Sequence, residues 1–311
     1  MSTSNSDTTE TDTRNTDTKA PMCRVTDCQL PVDIVFVSKD KVRLGMHKKN
    51  LEDFGDGFPP PDCESTEDVP LEEDGVVLEL LFQLMHKQPQ PDLRTVPFDA
   101  LTGLTEAAHK YIVHHASMAC NLALEHHIPN KPFKVLNLAK RYGWSGLEKQ
   151  AFETVTLKCR PIAIFAYGIS VDDAELCSEF LQKSMHADAE VFFAALQYHE
   201  CHPILANSAL ATWARLQKRV QAKLLTVLNT PPSLIHKGGF QYCDEWEEFF
   251  DIVKAHVDSH TSYAAFQDIV NTEKYRVRNC SYCERVISTW DSRMEAAAAT
   301  DLQTYKSLKY A

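Results

Sequence analysis

One short stretch of β-type patterning near the N-terminus limits what the rest of the chain can build. Val32 to Val37 is an apolar, β-branched-rich run, the pattern of a strand covered on both faces. Ser38-Lys39-Asp40-Lys41 is a polar turn. Val42, Leu44 and Met46 then alternate with Arg43 and Gly45, as in a half-buried strand. A helix is predicted from His47 to about Phe54. Gly55 and Gly57 end it, and Pro59-Pro60-Pro61 forces extended chain. Val69-Pro70-Leu71 reads as a short edge strand, where a proline is tolerated.

Beyond this the period changes to that of helices. Val76, Val77, Leu80, Leu81, Leu84 and Met85 recur at helical spacing, with Asp74 placed to cap them and Pro89 and Pro91 closing the segment. Leu104, Ala108, Tyr111, Ile112 and His115 share one face, and Met118 to Leu124 continues or restarts that helix. Val135 to Tyr142 forms another, punctuated by Gly143. Leu147 to Leu157 is a further helix. Ser170-Val171-Asp172-Asp173 resembles a capping box with Asp in place of Glu, and Asp188 to Tyr198 is again helical. A long amphipathic stripe runs from Leu205 through Trp213 to Val227 and stops before Pro231-Pro232. Two short helices are expected in 231–295. The pattern predicts an α+β protein: a small sheet with surrounding helices, followed by a mainly α-helical C-terminal region. No internal repeat of solenoid or propeller period is present.

Residues 1–22 are almost all Ser, Thr, Asp, Asn and Glu and are expected to form a disordered polar tail. The net charge of -11 gives no electrostatic footprint for nucleic acid or a membrane surface, so neither is expected as a partner. Neither a signal core nor a spanning apolar run is seen, which predicts a cytoplasmic or nuclear protein in a reducing compartment. The ten cysteines (23, 28, 63, 120, 159, 177, 201, 243, 280 and 283) then read as thiols or metal ligands, with Cys120 and Cys177 as small core residues.

The elements from Asp33 to about Leu124 fall in a known order. Asp33-Ile34 opens the first strand and Met46-His47-Lys48 closes the second. Leu51, Phe58 and the strand with its acidic tail, Val69 to Asp74, follow. Leu80 to His86 is similar to an "LLxxMY" segment, and Ala107-Ala108-His109-Lys110-Tyr111 to an "A-x-K-Y" helix. This ordered set resembles a BTB/POZ domain, and the whole chain resembles BTB proteins expanded in mushroom-forming fungi. The chain departs from the family pattern at Gly55, where Ser is usual, at His86, where Tyr is common, and in the short Pro-rich region from Pro59 to Val69. The resemblance implies a BTB/POZ-like domain over 23–130, and the pattern beyond it reads as a helical region over 131–230 and a small helical Cys/His-containing subdomain over 231–311. The resemblance also implies protein partners, a homodimer, and recruitment of a cullin scaffold as one option.

The chemical candidates are few. His47 reads as a junction residue whose ring nitrogen bonds a backbone group, since no acid or nucleophile stands near it in sequence. His199-Glu200-Cys201-His202 lacks zincin spacing. His114-His115 and His126-His127 point about 100° apart on a helix and cannot chelate one ion. Cys280-Ser-Tyr-Cys283 is the best candidate. With His236 and Cys243 it makes a Cys₃His set suited to structural zinc. His256 and His260, one turn apart, are the rival second pair, and two separate thiols near a helix start are the non-metal alternative. A redox CxxC lacks its βαβ context. Trp144, Trp213, Trp246 and Trp290 read as core residues, and Glu72-Glu73-Asp74 as solvated charges at a helix start.

No phosphate-binding glycine loop or nucleophile elbow appears. The expected function is therefore protein–protein interaction without catalysis, as a homodimerising scaffold or adaptor. The alternatives are a cullin ubiquitin-ligase substrate adaptor, a transcriptional regulator, opposed by the lack of C₂H₂ spacing and of a basic stripe, and a thiol enzyme using Cys280 or Cys283.

Overall fold

A computed structural model describes residues 23–58, 68–233, 243–259 and 261–309. The described chain is mainly helical with one small three-stranded sheet, an α+β arrangement. It divides into two compact units, the first ending at Ala151 and the second beginning at Phe152.

In the first unit β1 (Ile34–Val37) is central, antiparallel to β2 (Arg43–Met46) and parallel to β3 (Val69–Pro70). The register pairs Phe36 with Leu44 and Ile34 with Met46. Phe36, Leu44 and Met46 are buried, which puts the apolar set of both strands into one core. The turn between them is held by Ser38, whose hydroxyl accepts from the Val42 amide at 2.8 Å, while Lys41 takes a left-handed φ of 67°.

Helix α1 (Lys48–Phe54) follows β2 directly, and α2 (Gly75–Leu84) follows β3. The expected cap of α2 by the Asp74 side chain is not made. The Asp40 carboxylate accepts from the Gly75 amide instead, at 2.8 Å, so the β1–β2 turn caps this helix. The continuous face predicted from Leu104 to His115 is broken. Helix α3 (Phe98–Lys110) stops at Tyr111, Ile112 turns with φ 54°, and α4 (His114–Glu125) starts afresh. Helix α5 (Pro132–Tyr142) ends on Gly143 at φ 69°, the left-handed residue a C-terminal cap requires, and α6 (Ser145–Lys158) follows.

The acidic run after β3 also differs from expectation. Glu73 is not a solvated charge: its side chain is 13% exposed. It accepts from Lys110 Nζ at 2.8 Å and from the Tyr111 hydroxyl at 2.7 Å. The Lys-Tyr pair at the end of α3 is thus tied to the loop before α2. Phe58 stacks on Tyr111 with ring centroids 4.3 Å apart. Gly57 lies so close to the end of α3 that a Cβ there would stand 2.7 Å from Tyr111 Cα and from the Lys110 carbonyl oxygen.

The second unit holds α7 (Pro161–Ser170), α8 (Ala174–Ser184), α9 (Ala189–Tyr198) and α10 (Pro203–Leu228). Ser170 proves to be the last residue of α7, so no capping box exists there. Asp173 alone caps α8, accepting from the Leu176 amide at 3.0 Å. Trp213 is fully buried, donates to Ser184 at 3.1 Å and packs on Phe192. Three helices then stand where two short ones were expected: α11 (Asp244–Ser259), α12 (Tyr263–Glu273) and α13 (Ser281–Ala298). A last helix, α14 (Leu302–Lys309), follows. Trp246, Phe249, Phe266 and Trp290 close a second core with Leu224 and Leu228 of α10. Three of the four tryptophans are therefore buried, Trp213 and Trp290 fully. Trp144 is half-buried beside His109 and Tyr142.

Candidate metal centres

The structure brings cysteines and histidines into two groups able to hold a metal ion, among the described residues. The first was anticipated in part. Cys243 sits just before α11, Cys280 is the residue that opens α13, and Cys283 lies one turn into that helix. The three sulfurs lie within 4.8 Å of one another, and Cys283 Sγ stands 3.6 Å from Cys243 Sγ. Two thiolates at about 2.3 Å from one tetrahedral zinc are about 3.8 Å apart, so the spacing fits a shared ion.

The local fold explains the convergence. A CxxC at a helix start points both sulfurs toward the open first turn, whose amides favour negative charge. Burial raises the Cys280 thiol pKa, but hydrogen bonds from Cys283 and from the Tyr282 amide win and hold it below the usual value. Cys283 is fully buried, and burial with two neighbouring thiols pushes its pKa up. Cys283 belongs to the buried cluster that holds Trp246 and Trp290, and Cys243 and Cys280 pack against that cluster.

His236, the fourth predicted ligand, lies outside the described residues, as does His260. His256 is on α11 and is not among the groups brought together with the three cysteines. The other histidine clusters do not converge among the described residues either. His202 instead caps α10, and His199 lies against Tyr167, where burial holds it down at about 4. His115 bonds the Leu84 carbonyl oxygen, and His109 stacks on Tyr142.

The second group was not read from the sequence. It contains Cys23, Cys28, His47 and His86, with all four ligand atoms within 4.8 Å of one another. Cys23 and Cys28 flank a tight turn in which Cys28 N–H reaches the Val25 carbonyl at 3.2 Å and Asp27 has φ 60°. His47 is the junction between β2 and α1, and His86 follows the end of α2. Both histidines are buried.

His47 occupies the position expected of it, but it does not cap α1. The Lys48 amide is taken by the Asp33 carboxylate at 3.3 Å, which gives the Asp-Ile pair at the start of β1 a local role. His47 Nδ1 lies 2.6 Å from the Pro31 carbonyl oxygen, and His86 Nδ1 lies 2.6 Å from the Phe82 carbonyl oxygen. A carbonyl only accepts, so both Nδ1 atoms carry a proton, and in the neutral ring form it is Nε2 that presents the lone pair. Those Nε2 atoms face the sulfurs, His47 to Cys28 at 3.2 Å and His86 to Cys23 at 3.4 Å. Burial lowers the pKa of His86.

No described cysteine is in a disulfide. No helix of the described residues is long and apolar enough to cross a membrane. No family model, no curated protein and no solved structure matches the chain.

Proposed function

We propose that the chain is a non-catalytic protein-interaction scaffold. It acts through a BTB-like first unit, as a homodimer, and carries structural zinc on His236, Cys243, Cys280 and Cys283. The observation that carries this reading is the order of elements around β1. Two paired strands lead into a short helix, a third strand pairs on the other edge, and a helix and the Lys110-Tyr111 helix follow. The family-type residues have matching physical tasks: Asp33 holds the start of α1, and Lys110 and Tyr111 are tied to Glu73. The spacing of three sulfurs supports the zinc assignment, and thiolate-rich, closed sets of this kind are the structural rather than the catalytic type.

The test is the mass of the purified full chain by light scattering over a range of concentrations, with metal content measured on the same sample. The expected result is twice the chain mass of 35.2 kDa and bound zinc. A monomer at every concentration overturns the dimer. Co-purification with a cullin would redirect the reading toward a ubiquitin-ligase adaptor.

A further inference from the structure

We infer that Cys23, Cys28, His47 and His86 form a second zinc site, a Cys₂His₂ centre that fastens the chain ahead of β1 to the β2–α1 junction and the end of α2. A tetrahedral ion with sulfur at about 2.3 Å and imidazole nitrogen at about 2.0–2.1 Å sets each sulfur about 3.5 Å from each nitrogen. The two Sγ–Nε2 distances present are 3.4 and 3.2 Å. Two of the six ligand–ligand spacings thus already lie near those of that tetrahedron.

The surroundings are those of a built site. Each histidine has its Nδ1–H committed to a backbone carbonyl, the arrangement that fixes the tautomer and aims Nε2 at a metal. The rings meet edge to face with centroids 5.1 Å apart, and all four ligand atoms lie within 4.8 Å of one another. Two thiolates balance the charge of a divalent ion, and neutral imidazoles add none. The completed centre is therefore uncharged, which suits a partly buried position. The soft sulfurs and paired imidazoles select zinc over magnesium or calcium.

The centre also supplies what the local sequence lacks. The segment from Cys23 to Pro31 forms no regular element and has few large apolar side chains to bury. Ligation by its two cysteines would hold it in place without a core of its own.

Alkylation of the zinc-loaded full chain with N-ethylmaleimide, mapped peptide by peptide, tests the site. Cys23 and Cys28 should be protected and become reactive together when a zinc chelator is added. The Cys23→Ser/Cys28→Ser variant should bind one zinc fewer per chain than the wild type. Replacement by Co²⁺ should give thiolate-to-metal charge transfer that the same variant loses in part. Equal labelling of Cys23 and Cys28 with and without chelator overturns the inference, as does a Cys23–Cys28 disulfide in the metal-loaded protein. The mapping separates these cysteines from Cys243, Cys280 and Cys283, so failure here is distinct from failure of the C-terminal zinc assignment. Folding of the variant is checked by circular dichroism, and the chelator arm needs no variant.

Discussion

The two cysteine–histidine groups are built in opposite ways. In the C-terminal group, two of the three cysteines come from one helical turn, Cys280 and Cys283, and Cys243, just ahead of α11, meets Cys283 from 40 positions away. In the N-terminal group, two ligands lie on a turn ahead of β1, one at a strand–helix junction and one beyond a helix end. His86 Nε2 meets a cysteine 63 positions earlier. The first group has a local pair at its centre, and that pair leaves a spacing in the sequence. The second exists only after the sheet has paired and α2 has packed on it. A set of metal-ligating side chains can therefore come together in space while having no motif at all.

The largest expected effect tests whether the C-terminal group is a structural centre. Cys283→Ser should abolish metal binding at that site and lower the stability of the second unit by on the order of 5 kcal/mol. That is less than for an isolated zinc-finger peptide, because the Trp246–Trp290 core remains. Differential scanning calorimetry with and without chelator reads it. No change in the unfolding midpoint would reduce the group to three neighbouring thiols.

Trp290→Ala separates the core from the metal. Trp290 is fully buried among Trp246, Phe250 and Phe266, and its loss should cost about 3–5 kcal/mol while leaving the three sulfurs in place. Denaturant unfolding followed by tryptophan fluorescence measures it, and zinc content should persist below the midpoint.

In the first unit, Glu73→Gln should cost about 2 kcal/mol at neutral pH, since it leaves Lys110 and Tyr111 without their charged acceptor. Burial raises the Glu73 carboxyl pKa, but the bonds from Lys110 and Tyr111 win and hold it below the usual range. A carboxyl depressed in the fold stabilises above its unfolded pKa and loses that contribution as pH falls through the folded value. The difference between wild type and variant should thus be widest near pH 7 and close in acid. A difference independent of pH would show that the carboxylate charge is not what ties α3 to the β3–α2 loop.

The smallest effect is a gain. Ile112 is β-branched, 42% exposed and held at φ 54°, a conformation in which an L side chain crowds its own backbone. Ile112→Gly should raise the stability of the first unit by roughly 1 kcal/mol, against a partial loss from unfolded-chain entropy. An unchanged or lower midpoint would mean that the Ile112 side chain makes up the strain by packing.

Much of this was readable in one dimension. Alternation from Val42 to Met46 and the helical stripe from Leu205 to Val227 are properties of neighbouring residues, and both elements formed close to their expected places. The CxxC pair converged for the same reason. The failures share a different origin. Asp74 looked like a cap, but Asp40, brought in by the turn between strands, reached the Gly75 amide first. Ser170 looked like the start of a capping box and was instead the end of α7. Glu73 looked solvated, because its partners lie 37 and 38 positions away.

Period and composition by themselves determined that this chain makes a small sheet and many helices, because strand and helix patterning depend on side chains a few positions apart. Tertiary structure alone decided which acid caps, which charge is buried and which histidines face sulfur. Those outcomes depend on distances between segments remote in sequence, and only packing of the core sets them.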